Sequence, residues 1–131
     1  MRNIAKPYAQ ILGIVLLLTG ILGFVPGLSH GGDLLGIFAI DPLHNVVHLL
    51  SGIVGVVIGT VAGGRYARWF AGGFGVVYGL VTVIGFIQGV TVLGLIAVNV
   101  ADNLLHAVIA LASLAVFVVT STARKPVVAE A

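Results

Sequence analysis

Four apolar runs, each about as long as a bilayer is thick, decide what this chain can fold into. They lie at about 8–28, 43–63, 66–87 and 100–121. Roughly 20 apolar residues wound as helix cross the hydrocarbon core of a membrane. A backbone in lipid must also satisfy its own N–H and C=O groups, which a helix does. The expected fold is therefore all-α, an integral membrane four-helix bundle forming one domain over residues 1–131. Composition closes the soluble alternative. Only 8% of residues are charged and mean hydropathy is +1.23, against about 25% charged residues in a soluble domain.

The breaks between the runs carry helix-ending residues: Pro26-Gly27, Gly63-Gly64-Arg65, Gln88-Gly89 and, after the last run, Pro126. Arg2 and Lys6 before the first run imitate a secretory leader. No small-x-small cleavage pattern follows, so the run reads as a retained span. With four spans, Arg2, Lys6, Arg65, Arg68, Arg124 and Lys125 all fall on one side of the membrane. The positive-inside rule makes that side cytoplasmic, which puts both termini inside and the protein in the inner (plasma) membrane. Tyr8, Tyr66 and Trp69 lie beside these charges, as interfacial aromatics do. Asp33, Asp41, Asp102 and the four histidines fall on the opposite side.

The chain also repeats itself. Tyr8-Ala9-Gln10 matches Tyr66-Ala67-Arg68 at an offset of 66 − 8 = 58. The same ungapped offset pairs Gly27 with Gly85, Gly31 with Gly89 and Leu35-Gly36 with Leu93-Gly94. It continues through Ala39 with Ala97 and Asn45 with Asn103, and ends at His48 with His106. Residues 8–48 and 66–106 thus read as two tandem αα-hairpins inserted the same way up, related by a pseudo-twofold axis along the membrane normal. The connectors 34–40 and 92–98 are too short to cross, so each is expected as a short helix or a turn packed on the bundle. Glycines 13, 20 and 27 recur every seven residues, and Gly52, Gly55 and Gly59 stripe the second span. That stripe predicts a close approach of the second and fourth helices.

The polar residues concentrate in one motif and its altered copy. Asp41-Pro42-Leu43-His44-Asn45-Val46-Val47-His48 opens the second span, and Asn99-Val100-Ala101-Asp102-Asn103-Leu104-Leu105-His106 opens the fourth. Asp41 and Asn99 are good N-caps, and Pro42 suits the first helical position. The spacing places His44, Asn45 and His48 on one helical face, and Asp102, Asn103 and His106 on another.

If those faces meet, two chemistries compete. One is a hydrogen-bonded knot, in which Asp102 caps its own helix and His–Asn pairs satisfy one another. The other is a tetrahedral site for zinc or another divalent metal built from His44, His48, Asp102 and His106, with Asn45 and Asn103 supporting the ligands. Proton relay is a further reading. Haem between His48 and His106 is less favoured, because the glycine stripes bring the helices too close for a porphyrin. Thr19, Tyr78 and Thr82 read as isolated helix–helix hydrogen bonds, and His30 as an exposed loop histidine.

The chain has no cysteine, hence no thiolate chemistry. It has no phosphate loop, no Ser-His-Asp set and no basic groove for nucleic acid. The leading expectation is a non-enzymatic membrane protein of unknown activity. It would act as a structural or accessory partner of a membrane complex, or as a homo-oligomer, in contact with the lipid bilayer. The alternative is a divalent-metal-binding or proton-coupled small transporter.

The paired motif resembles a bacterial, largely actinobacterial, family of small four-helix membrane proteins classed as a domain of unknown function. Its signature is similar to Asn/Asp-Pro-x-His-Asn-x-x-His before the second span and Asp-Asn-x-x-His before the fourth. The resemblance covers nearly the whole chain. It implies the same topology and the same weight on Asp41, His44, Asn45, His48, Asp102, Asn103 and His106, and no activity.

Overall fold

A computed structural model describes residues 4–122. Arg2, Arg124 and Lys125, three of the cations used for orientation, lie outside the described residues. The elements run α1 (Ala5–Leu22), β1 (Ser29–His30), β2 (Asp33–Leu34), β3 (Phe38–Ala39), α2 (Pro42–Thr60), a 3-10 turn (Val61–Gly64), α3 (Ala67–Gln88), β4 (Thr91–Val92), β5 (Ile96–Ala97) and α4 (Val100–Thr122). Four helices are long and apolar enough to cross a bilayer. The fold is an all-α, four-helix bundle, and the chain is a small multi-pass membrane protein.

Burial is arranged for lipid rather than water. Ala5, Ala9, Ala67 and Ala71 are wholly buried, while Ile11, Val76 and Leu111 are exposed. Small residues inside allow backbones to approach closely, and large apolar side chains outside meet lipid.

The close pairs are α1 with α2 and α3 with α4, whereas α2 and α4 have almost no close backbone approach. The expected contact of the second and fourth helices is thus corrected, and the glycines explain it. A Cβ on Gly52 would lie 2.4 Å from the Leu17 nitrogen, and one on Gly13 would lie 2.5 Å from the Val56 nitrogen. The stripe on α2 is spent on α1.

Helix α1 also ends earlier than its apolar run, at Leu22 rather than near Leu28. The next residue, Gly23, lies against the Asn45 side chain, with a built Cβ only 2.1 Å from Oδ1. Pro26 then prevents the helix from resuming.

The connectors are β-hairpins, not short helices or bare turns. β2 pairs with β1 and β3, and β4 pairs with β5, all antiparallel. Pairing answers the same need a helix would, since it satisfies backbone groups at the membrane end of the bundle. Ile37 N–H donates to Leu34 C=O at 3.0 Å, and Leu95 N–H to Val92 C=O at 3.0 Å. Both central residues of each turn have positive φ, with Leu35 at 55° and Gly36 at 70°, and Leu93 at 55° and Gly94 at 69°. Type I′ hairpin turns require that combination.

At the other end of the bundle, Arg68 Nε donates to Ser121 Oγ at 2.9 Å. Its guanidinium lies 4.8 Å from the Trp69 ring and 4.6 Å from that of Phe117. Arg65 lies 5.3 Å from the Tyr66 ring. Lys6 packs beside Gly64 at the same end. The described cations and the histidine cluster therefore occupy opposite ends.

Candidate metal centre

Asp41 caps α2 from extended backbone (φ −141°, ψ 170°), and Pro42 follows at the first helical position. Its Oδ1 accepts the His44 N–H at 2.8 Å. On α4 the cap is reciprocal. Asn99 Oδ1 accepts the Asp102 N–H at 3.1 Å, and Asp102 Oδ2 accepts the Asn99 N–H at 2.9 Å. This is a capping box with aspartate in the third position.

Each carboxylate also reaches the other connector. Asp41 Oδ2 accepts the Ala97 N–H of β5 at 2.5 Å, and Asp102 Oδ2 accepts the Ala39 N–H of β3 at 2.9 Å. Asn99 Nδ2 donates to the Ile37 carbonyl at 2.8 Å. These bonds tie α2 and α4 to each other's hairpins and so set which way each helix faces. Burial works to raise the pKa of Asp41, but the N–H groups of Ala97 and His44 outweigh it and hold the carboxyl below its usual value.

With the helices so fixed, His44 and His48 of α2 and His106 of α4 meet in the gap between the two. Ring centroids are 4.5 Å apart for His44–His48, 5.9 Å for His44–His106 and 6.4 Å for His48–His106. All three are buried, at 2%, 8% and 4% exposure. One nitrogen from each lies within 4.8 Å of the others. The Nδ1 atoms of all three have no hydrogen-bond partner. Three buried imidazoles one turn and one helix apart, with one nitrogen of each converging, suit a divalent transition metal.

Of the four ligands expected from the sequence, the structure brings three together. Asp102 lines the same cavity, but its Oδ2 is engaged by two backbone donors.

The His–Asn knot is corrected. Asn45 Oδ1 and Asn103 Oδ1 have no partner either. Both amides are packed against first-helix glycines instead, Asn45 on Gly23 and Asn103 on Gly85. They fix helix pairing rather than support a histidine.

The pairing sets a register different from that of the ungapped repeat, in which Gly27 rather than Gly23 is the mate of Gly85. Between the two glycine–asparagine notches the first helices are offset by 85 − 23 = 62 residues and the second helices by 103 − 45 = 58. The difference of four matches the stretch Ser29–Gly32, which holds β1 and its turn and has no counterpart before β4.

Other polar expectations are likewise local. Thr19 and Thr82 donate to the carbonyls of Val15 and Tyr78 in their own helices, at 2.9 Å and 2.7 Å, the common back-bond of helical threonine. His30 is exposed on β1.

Sequence reasoning missed two features. Tyr78 packs edge-on to His106 at 5.2 Å. Helix α1, through Tyr8, Leu12 and Leu16, walls a cavity of about 370 Å³ that reaches the histidines. The Tyr8 hydroxyl bonds Ser113 Oγ at 2.6 Å, closing the far end of that wall. No local motif marks either feature, because both arise from which helix lies beside which.

Comparison with curated proteins finds no match, and comparison with solved structures finds none. The family described as domain of unknown function (DUF4383) matches residues 6–119. The match takes in all of α2 and α3, nearly all of α1 and α4, both connectors and every residue of the cluster, so this chain belongs to that family.

Proposed function

We propose that this membrane protein binds one divalent transition-metal ion, with zinc the simplest fit, through His44, His48 and His106. One observation carries the reading: three buried imidazoles bring one nitrogen each within 4.8 Å of the others, and their Nδ1 atoms have no hydrogen-bond partner. A buried polar atom left unsatisfied costs about 1–3 kcal/mol. Coordination of a metal ion through Nδ1, at about 2.0–2.1 Å, would remove that deficit.

The distances support this reading. Ligand nitrogens around tetrahedral zinc are about 3.4 Å apart at those bond lengths. The present spacing, within 4.8 Å, closes to that by side-chain rotation of about 1 Å. Three protein ligands leave a fourth position open, the arrangement of exchangeable or reactive zinc rather than of closed structural sites.

In this reading the cluster faces the extracytoplasmic side of the plasma membrane, with both termini cytoplasmic. That orientation rests on the cations, since Lys6, Arg65 and Arg68 all belong to the opposite end. The accessory role expected from composition then becomes that of a metal-carrying partner within the membrane. Holding is favoured over conducting. Apart from tyrosine hydroxyls, Ser113 is the buried polar residue between the cluster and the cationic end among the described residues.

The test is elemental analysis of protein purified without chelator. About one equivalent of metal per chain is expected in the wild type, with most of it lost in His48→Ala and His106→Ala. Chelator should lower thermal stability, by up to about 4 kcal/mol for a metal present at a thousandfold excess over its Kd. Protein that carries no metal, takes up neither Zn²⁺ nor Co²⁺ and ignores chelator would overturn the reading.

A further inference from the structure

The cavity beside the histidines has a polar end and a long apolar body. Leu12 and Leu16 of α1 and Leu105 and Ile109 of α4 line it, with Leu34 and Phe38 of the first connector. Its lining also includes Ile11 and Val15, which are 64% and 52% exposed on the outer surface. The cavity therefore opens sideways, where lipid lies. At about 370 Å³ it falls within the range of ligand pockets, about 300–1,000 Å³.

The other half of the molecule carries larger side chains at the corresponding positions. With first helices offset by 62 residues, as the Gly23 and Gly85 notches set them, Leu12 corresponds to Phe74 and Leu16 to Tyr78. Phe70, Phe74 and Tyr78 stack at 4.5 Å and 4.8 Å, and Tyr78 closes on His106. Stacked aromatic side chains stand at these positions in one half, and leucines line the cavity in the other.

The polar end selects the head group. Among the described residues no lysine or arginine lines the cavity, and Asp102 does. With the histidines metal-free, an anionic head would meet that carboxylate without a countercharge. A cationic head would meet the metal ion held by the histidines. An uncharged oxygen is compatible with either state. A carbonyl or hydroxyl can take the open metal position or hydrogen-bond to an imidazole.

We propose that the α1–α4 cavity binds a membrane amphiphile with one long apolar chain and an uncharged carbonyl or hydroxyl head, placed at His44, His48 and His106. Isoprenoid quinones and long-chain alcohols share this chemistry. The head-group assignment rests in part on the metal reading, while the apolar body stands on the cavity alone.

The experiment uses the full chain in phosphatidylcholine–phosphatidylglycerol nanodiscs and a long-chain alcohol carrying a tail diazirine. Light-induced labelling is mapped by peptide mass spectrometry, and metal content is measured on the same samples. Label should concentrate on residues 12–19 and 105–109. Excess decyl-tailed benzoquinone or decanol should remove it, and decanoate should not in chelator-treated protein. The stronger of the first two competitors identifies the head. Leu12→Phe and Leu16→Phe should each abolish the competable label while leaving metal content unchanged. Leu111→Phe on the outer face should change neither.

Even labelling of every lipid-facing helix, without competition and unaltered by either cavity variant, would overturn the proposal. Decanoate competing as well as decanol in chelator-treated protein would overturn the uncharged head. Competable label in wild type that carries no metal and takes up no Zn²⁺ would refute the metal site and leave the apolar body of this proposal standing. Metal-bearing protein without competable label would do the reverse.

Discussion

Asp102 accepts a hydrogen bond from the backbone N–H of Ala39 at 2.9 Å, across 63 positions of sequence. Asp41 makes the corresponding bond to Ala97. Helix caps usually satisfy their own first turn. Here each cap also holds the opposite hairpin, and together they aim three histidines into one gap. Asp102→Ala strands the N–H groups of both Ala39 and Asn99. A stability loss of about 1–3 kcal/mol is expected, read as a lowered melting temperature in detergent.

Acid should act through Asp41. Its carboxyl is held below the ordinary value of 3.8, so the folded state favours the charged form. The stability this contributes is fully present above the unfolded-state value. It is lost as pH falls through the lower, folded value. Wild type is therefore expected to lose stability below about pH 4, and Asp41→Asn to show a flatter acid limb. Equal acid slopes in the two proteins would contradict the assignment.

Gly23 and Gly85 leave room for Asn45 and Asn103, with built Cβ atoms 2.1 Å and 2.0 Å from the amide oxygens. Alanine at either position should destabilise the bundle by about 1–3 kcal/mol, as overpacking does. Gly73 has nothing within 4 Å of its position. Gly73→Ala should be neutral or stabilising by up to about 1 kcal/mol. Melting temperatures of the three variants, measured side by side, check the contrast.

Leu35 and Leu93 stand at φ 55° at the hairpin tips, a conformation unfavourable to a side-chain-bearing residue by about 1–2 kcal/mol. Both are largely exposed, so little packing is at stake. Leu93→Gly should raise stability by about 1 kcal/mol. A drop in melting temperature would mean that the exposed leucine contributes more than its backbone costs.

The spans, the caps at Asp41 and Asn99 and the two polar motifs were legible because each depends on neighbours three or four residues away. Local spacing could not say where α1 ends, since residues through Leu28 stay apolar and the turn at Gly23 answers to Asn45 on another helix. It could not give the partner of the α2 glycines either, because small-residue stripes state that a close approach exists and not with what. The connectors are apolar enough for helix, and only the Leu-Gly pairs at 35–36 and 93–94 hint at hairpins. The cavity is the least legible feature. Leu12 and Leu16 look like any other span residues until α1 is placed beside His48 and Phe74 beside Tyr78.

The central claim is that three imidazoles hold a metal ion, and X-ray absorption at the edge of the bound metal tests it most directly. Zn²⁺-loaded wild type should show about three imidazole nitrogens at about 2.0–2.1 Å and one further light ligand. His106→Ala, if it retains any metal, should show two imidazoles. Bound zinc with an oxygen-only shell, or an imidazole count unchanged in His106→Ala, would contradict the account.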